Sequence, residues 1–472
     1  MTDHPAWIAG SAFTNGNWDE VRSPFDGSLV GRVPVCGAPE VDRACTNAAD
    51  ALRRKDFPSW RRAEVLDAAV LLIKDRAEDF ARLIVAEAGK PLRDARGEVA
   101  RCVDTLRFSA AAARTLSGEI VALDASQSAA GRLGFALRVP IGVVAAITPF
   151  NFPLNLVAHK LAPAIAAGCP VVLKPAEKTP LSSLLLVATL VEAGLPSDWI
   201  SVVTGDGPSV GTPLITHPVP TVVSFTGSVP VGRAIAKEAS SKKVLLELGS
   251  NAPVIIAADG DLARAVARIK VGGFSFAGQS CISTQRVLVH SSLHDELVSQ
   301  LSVAVASLVV GDPADEDTEV GPLIRPQEVD RVLSWIADAV DGGGKVTTGG
   351  EVRDGLLQPT VVDLPPWDGQ LVRGEVFGPV VTVTSFETFD EAVALANDSD
   401  FGLQVGVFTS DIASAMQAVS DLEFGGVLIN EVPTFRADQQ PYGGLRDSGN
   451  TREGPAYTVH ELTELRFVML TP

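Results

Sequence analysis

The period of apolar and polar positions changes along the chain, and each change predicts a different architecture. From Glu40 to about Leu116 apolar residues recur at three- and four-residue spacing, as in Trp60–Ala88, which predicts helices until Gly89-Lys90-Pro91 breaks the pattern. Residues 1–35 hold turn signals at Asn15-Gly16 and Asp26-Gly27 and read as an irregular leading segment. Residues 117–139 are polar and then alternate through Leu133–Val139, a two-stranded excursion. Short apolar runs follow at Gly142–Thr148, Val171–Lys174, Ile200–Thr204, Val222–Thr226 and Val244–Leu248. Helical patterns lie between them at Leu154–Ala167, Leu181–Ala193, Ser209–Thr216 and Val231–Ala239. That alternation predicts βαβ units and a parallel sheet. A second α/β stretch has strand signals near Val287–His290, Val376–Thr384, Val405–Thr409 and Val427–Asn430, with helices near Leu297–Val309, Asp390–Asn397 and Ile412–Leu422. The tail Val459–Val468 alternates enough to be an added edge strand.

Length and composition narrow the possibilities. A chain of 472 residues exceeds what one core organises, so two or three domains are expected. The balance of 46% hydrophobic and 20% charged residues is that of a soluble globular protein, and a formal charge of −18 argues against nucleic acid or an anionic membrane as partner. No apolar segment reaches about 18 residues, and Met1–Gly10 lacks a basic region before an apolar one; a cytoplasmic location is expected. Five scattered cysteines without a CxxC suggest neither a disulfide frame nor a zinc site. His290 and His294 share helical spacing across a strand end and lack further ligands, so no metal is expected.

Chemistry is suggested by two residues. Cys281 lies in Phe274–Arg286 after a Gly-Gln-Ser turn signal and just before an apolar run. A lone cysteine is usually a packing residue. Upstream, however, Glu247 sits inside the otherwise apolar run Lys243–Gly249, where an isolated carboxylate needs a partner or a job. A thiol nucleophile and a desolvated carboxylate base suit covalent acyl chemistry. Ligands of a parallel sheet bind at the carboxyl ends of its strands. Those ends carry Thr148, Pro149, Phe150 and Asn151, then Lys174 to Glu177, then Phe225, Thr226, Gly227 and Ser228. Asn151 is also a common helix-capping residue type. No G-x-G-x-x-G follows the first strand, and Gly205–Gly211, with Gly207 and Gly211, approaches that pattern at the wrong spacing.

Taken in order, Asn151, Lys174–Glu177, Phe225–Ser228, Glu247-Leu248-Gly249, Gly278–Cys281, Glu375-Val376-Phe377, Pro441–Gly444 and Ser448-Gly449 resemble the aldehyde dehydrogenase superfamily nearly end to end. Asn151–Lys160 and Asn430–Pro455 look similar to phosphonoacetaldehyde dehydrogenases, and also to the lactaldehyde and non-phosphorylating glyceraldehyde-3-phosphate branch. The resemblance implies an α/β fold with a cofactor domain (1–121 and 140–247), a catalytic domain (248–445) and an oligomerisation element (122–139 and 446–472) that builds a homodimer or homotetramer. It implies Cys281 as nucleophile, Asn151 as oxyanion donor and Glu247 as the base that hydrolyses a thioester. NAD rather than NADP is expected along Thr148–Phe150, Lys174, Glu177, Gly207, Gly211, Phe225–Ser228, Leu248 and Gly249. Glu177 would hold the adenosine ribose, and Glu375 the nicotinamide ribose beside Phe377. Arg101, His159 and Arg436, with Phe435 and Ile282, fall at places lining the superfamily's substrate funnel, which suggests an anionic aldehyde carrying a phosphonate or phosphate. Alternatively, Arg101 and Arg436 pair with some of the 57 acidic residues. A lactaldehyde, glyceraldehyde-3-phosphate or succinic semialdehyde dehydrogenase, a coenzyme A-dependent acylating enzyme and a catalytically idle relative are the other readings.

Overall fold

The computed structural model describes residues 3–471. Its first sheet has the strand order Lys243–Glu247, Pro220–Thr226, Val143–Ile147, Val171–Lys174, Ile200–Val202, Ala6–Ile8, Ser11–Phe13. The first five are parallel, as the alternating pattern predicts, and the last two pair antiparallel. The leading segment is therefore not irregular. It supplies the last two strands on one side of this sheet and a hairpin of Trp18–Arg22 with Leu29–Pro34, whose turn uses Gly27 at φ 72°. Strands of three residues have too few positions to display a period of two.

The helical region is four helices, Ala38–Arg54, Ser59–Asp75, Ala77–Ala88 and Leu92–Thr115. The third ends on Gly89 in the left-handed conformation, with its N–H returned to Val85. Helix Asn155–Ala167 packs on Leu92–Thr115, and every one of its residues is buried.

A second sheet runs Lys345–Thr348, Thr360–Asp363, Val380–Phe386, Arg286–His290, Pro253–Ile256, Gln404–Phe408, Gly426–Ile429. The strand expected at Val376–Thr384 begins later, because Gly378-Pro379 precedes it and proline has no N–H for the ladder. A third, antiparallel sheet joins Glu119–Val121, Leu133–Pro140 and Thr463–Leu470. Within 446–472 only that last strand joins it; the helix Pro455–Glu461 packs on Leu92–Thr115 and Asn155–Ala167. Among the described residues, no helix is long and apolar enough to cross a membrane, and no group of three or more His, Cys, Asp or Glu could hold a metal.

Candidate active site

The loop carrying Cys281 begins where helix Leu262–Phe274 stops. Phe276, Ala277 and Gly278 follow with φ of 48°, 53° and 71°, three left-handed residues in succession. That conformation is costly for side chains with a Cβ, so it persists only where the surroundings fix it. Asp94 accepts from Ser275 Oγ (2.8 Å) and from the Phe276 N–H (3.1 Å). The Gln279 amide donates to the Phe276 and Pro322 carbonyls and accepts from the Ile324 N–H (2.9 Å). A Cβ on Gly278 would collide with the Gly378 carbonyl. Cys281 then stands half-buried on a cavity of about 550 Å³, while Cys36, Cys45, Cys102 and Cys169 are buried packing residues. Burial pushes the Cys281 thiol up to about 12. A hydrogen bond with Tyr442 Oη, 3.0 Å from Sγ, pulls it back. Among the described residues, nothing accepts from the Cys281 N–H.

Asn151 does not cap the helix that follows it. The Glu98 carboxylate does so, accepting from the N–H groups of Leu154 (2.9 Å) and Asn155 (3.0 Å), and Lys90 pairs with Glu98 while lying 3.6 Å from the centre of the Phe152 ring. Asn151 Nδ2 is free to donate to the Gln279 carbonyl (2.9 Å), which ties the amide to the nucleophile loop and leaves its second hydrogen unengaged. Glu247 ends its strand 3% exposed, with neither carboxylate oxygen hydrogen-bonded. Burial, and then Glu453, push its carboxyl well above the usual range, against the pull of Arg436, Lys160 and Arg452.

Asn151, Glu247, Leu248, Gly249, Cys281, Glu375 and Phe377 line the one cavity. Glu375 accepts from the Ser250 N–H (3.0 Å), and burial lifts it to about 7. A side chain on Gly249 would run into its carboxylate. A second cleft of about 720 Å³ adjoins and shares Pro149, Phe150, Thr226, Gly227 and Ser228. Thr148, Lys174, Glu177, Gly207, Gly211 and Phe225 are among the residues of its wall. Lys174 Nζ lies 3.1 Å from Glu177 Oε1. Helix Val229–Glu238 opens at Ser228, and its N-terminal N–H groups and dipole favour a diphosphate. Among the described residues, the buried hydroxyls of Thr148 and Thr226 have no partner. These donors and the cleft's size fit a dinucleotide.

The model of the aldehyde dehydrogenase family matches residues 12–468. The chain belongs to that family. This aldehyde dehydrogenase is 42% identical over 465 residues to the 3-sulfolactaldehyde dehydrogenase of Priestia megaterium, covering 97% of each chain. It is 36% identical over 469 residues to the lactaldehyde dehydrogenase of Methanococcus aeolicus, covering 97% of this chain and 99% of the other. The crystal structure of aldehyde dehydrogenase 21 from Physcomitrella patens, in complex with the reaction product succinate, superposes with a TM-score of 0.97 at 37% identity, over 100% of this chain and 98% of the other. The protein is thus an NAD(P)-dependent aldehyde dehydrogenase with the aldehyde dehydrogenase fold.

Within this aldehyde dehydrogenase, Arg101, His159 and Arg436 come together, but around the chain's own carboxylates. Arg101 makes a two-pronged contact with Asp438 (2.9 and 3.2 Å), and His159 Nε2 lies 2.9 Å from the same carboxylate. Arg436 Nη2 reaches Glu453 at 3.1 Å. Burial, and then Arg436, lower the His159 pKa against the pull of Asp438 and Glu453, which favours the neutral ring. The idea of three cationic donors left for a substrate therefore does not hold: two guanidinium groups are paired, as the alternative had it, and the imidazole faces Asp438. Ile282 is buried beside Cys281 with Leu403 and Tyr442, and Phe435 is exposed at 48%. None of these five lines the cavity. Sequence reasoning assigned no role to Tyr442, Asp438, Glu453, Lys160 or Gln279. Tyr442 stood in the quoted Pro441–Gly444 stretch, where an aromatic beside glycines reads as packing.

Proposed function

We propose that this enzyme oxidises a small anionic aldehyde to its carboxylate, with NAD, through a thiohemiacetal and a thioester on Cys281. The observation that carries the reading is that Cys281, Asn151, Glu247 and Glu375 open into one cavity joined to a dinucleotide-sized cleft. The Cys281 thiol loses its proton to solvent, the thiolate sulfur adds to the carbonyl carbon, and the carbonyl electron pair moves onto oxygen. Asn151 Nδ2 and the Cys281 N–H stabilise that oxyanion, each donor worth about 3 kcal/mol in comparable sites. A nicotinamide dinucleotide, held along Lys174, Glu177, Ser228 and Glu375, would supply the hydride acceptor, and loss of hydride from the carbon would leave a thioester on Cys281. Glu247 then accepts a proton from water; the water oxygen attacks the acyl carbon and the S–C bond breaks. An unpartnered carboxylate at that place favours hydrolysis over transfer to coenzyme A.

The anion is argued from charge. Arg101, Lys160 and Arg436 face Asp438 and Glu453, so the cluster keeps one positive charge in excess while Glu247 holds its proton, the state before the hydrolytic step in which Glu247 must ionise to act as base. The sulfonate in the name of the Priestia relative's substrate and the succinate bound to the Physcomitrella patens enzyme support the same class. Phosphonoacetaldehyde, 3-sulfolactaldehyde, glyceraldehyde 3-phosphate and succinic semialdehyde are the candidates. A neutral 2-hydroxyaldehyde such as lactaldehyde is the second reading, favoured by the Methanococcus relative and by the pairing of both arginines. Comparing kcat/KM for these five and propanal, in wild type and Arg101→Ala, tests it. Propanal as efficient as the anionic aldehydes, or an Arg101→Ala enzyme with unchanged ranking, removes the anion. Hydrolysis is tested by product analysis with and without coenzyme A.

For the cofactor, Glu177 would accept from the adenosine ribose hydroxyls, where a 2′-phosphate would meet like charge. Wild type is expected to favour NAD, and Glu177→Ser to raise the relative efficiency with NADP; equal use of both by wild type counts against this. The three-stranded sheet leaves Ile120, Leu133, Leu465 and Phe467 exposed, which supports a homodimer or homotetramer built through it.

A further inference from the structure

The thiol has one hydrogen-bonding neighbour among the described residues, and it is a phenol. Tyr442 Oη lies 3.0 Å from Cys281 Sγ, and the ring is buried against Ile282 and Leu403. Its backbone is fixed by a bridge to Glu453, with the Tyr442 N–H donating to the Glu453 carbonyl at 2.9 Å. On the face of the ring, 3.7 Å from its centre, sits the Arg436 guanidinium. Glu453 accepts from the Nη2 of that guanidinium at 3.1 Å, and among the described residues the Arg436 Nε has no partner. Phenylalanine would pack in this cluster equally well, so the hydroxyl answers to something other than packing. A half-buried thiolate needs donors, and a cation on the face of a phenol draws electron density from the ring and strengthens its O–H as one.

We propose that Tyr442 is a catalytic residue: its hydroxyl donates a hydrogen bond to the Cys281 thiolate, and Arg436, stacked on the ring, strengthens that donor. The proposal rests on Cys281 being the nucleophile. Tyr442 keeps its own proton throughout, so no group is transferred through it. The charged and titratable groups acting on the sulfur are Tyr442, Glu375, Arg436 and Glu247. The two carboxyl groups oppose the thiolate when ionised, which leaves the phenol and the guanidinium to favour it. Burial, and then Cys281, push the phenol well above its ordinary value, so it remains a donor across the working pH range.

The test reads the sulfur itself. Alkylation of Cys281 by iodoacetamide is followed against pH in wild type, Tyr442→Phe and Arg436→Lys, without aldehyde, with the labelled peptide identified by mass spectrometry. Tyr442→Phe is expected to move the midpoint up by about one unit and so cut alkylation below the midpoint about tenfold. Arg436→Lys keeps the charge but gives up the planar stack, and is expected to move the midpoint the same way by less. A Tyr442→Phe profile that superimposes on wild type overturns the proposal. So does a downward shift, which would make the phenol an acceptor from the thiol. An Arg436→Lys profile identical to wild type overturns the part played by the stacked cation. Wild-type Cys281 that resists alkylation at every pH overturns the nucleophile assignment itself, a failure distinct from the others.

Discussion

At the scale of single residues the site is a set of carboxyl groups held away from water. Glu375, lifted to about 7 chiefly by burial, makes the most direct prediction. Its ionised form accepts from ribose hydroxyls better than its acid form. Cofactor affinity, measured calorimetrically, is therefore expected to rise as pH climbs through about 7, and Glu375→Gln to flatten that rise. A wild-type profile without the rise takes Glu375 out of cofactor binding. The effect on stability has the opposite sign. Between the ordinary carboxylate range and about 7 the folded state holds a proton that the unfolded chain has lost, so this group lowers stability as pH rises through that window. Cys281, Glu247 and Glu375 were legible in the sequence with the help of the resemblance, and Glu247 also because a carboxylate in an apolar strand breaks a local rule. Tyr442, Asp438 and Glu453 break none. They acquire meaning only through partners far away in sequence, Tyr442 at Cys281 and Asp438 at Arg101 and His159, and no local pattern encodes such a meeting.

Among the elements, helix Asn155–Ala167 positions the oxyanion donor, because its N-terminus is capped by Glu98 from another helix rather than by Asn151. Glu98 also neutralises buried Lys90, which lies between the Phe152 and Phe276 rings on either side of the site. Glu98→Ala strips the cap and strands a buried ammonium. Breaking such a pair from one side costs about 3–5 kcal/mol, so a large drop in the thermal midpoint is expected by calorimetry, with activity falling in the protein that stays folded. An unchanged midpoint would mean that Lys90 finds water or sheds its proton. The parallel strands were legible as near-continuous apolar runs because helices cover both faces of their sheet. The strands Ala6–Ile8 and Ser11–Phe13 were not, being too short to carry a period, whereas the parallel strand Pro253–Ile256 has the same apolar run and its signal was available. Helix Pro326–Asp341 does carry the helical spacing at Val332, Ile336 and Ala339, so that signal was available.

Over the whole molecule, the third sheet gathers several exposed apolar side chains on its strands, with Ile120 at 82% and Phe467 at 52%. A formal charge of −18 sets copies against one another, so assembly has to come from apolar area and strand pairing. Phe467→Glu places a further carboxylate on that face and is expected to lower the mass found by light scattering. A monomeric wild type, or a variant of unchanged mass, would contradict assembly through this sheet. The tail was legible as an edge strand from its alternation, but its partner Leu133–Pro140 lies more than three hundred residues earlier, a distance that periodicity cannot bridge.

The central claim is a thioester on Cys281 that Glu247 hydrolyses, and trapping that acyl group tests it most directly. Glu247→Gln enzyme is mixed with cofactor and aldehyde, quenched with acid and digested, and the Cys281 peptide is weighed while reduced cofactor is followed by absorbance. The expected result is a rapid burst of reduced cofactor close to one per site, a slow steady state, and the acyl mass on the Cys281 peptide for as long as the burst is occupied. A burst and steady state that fall together, with no added mass on that peptide, would contradict the account.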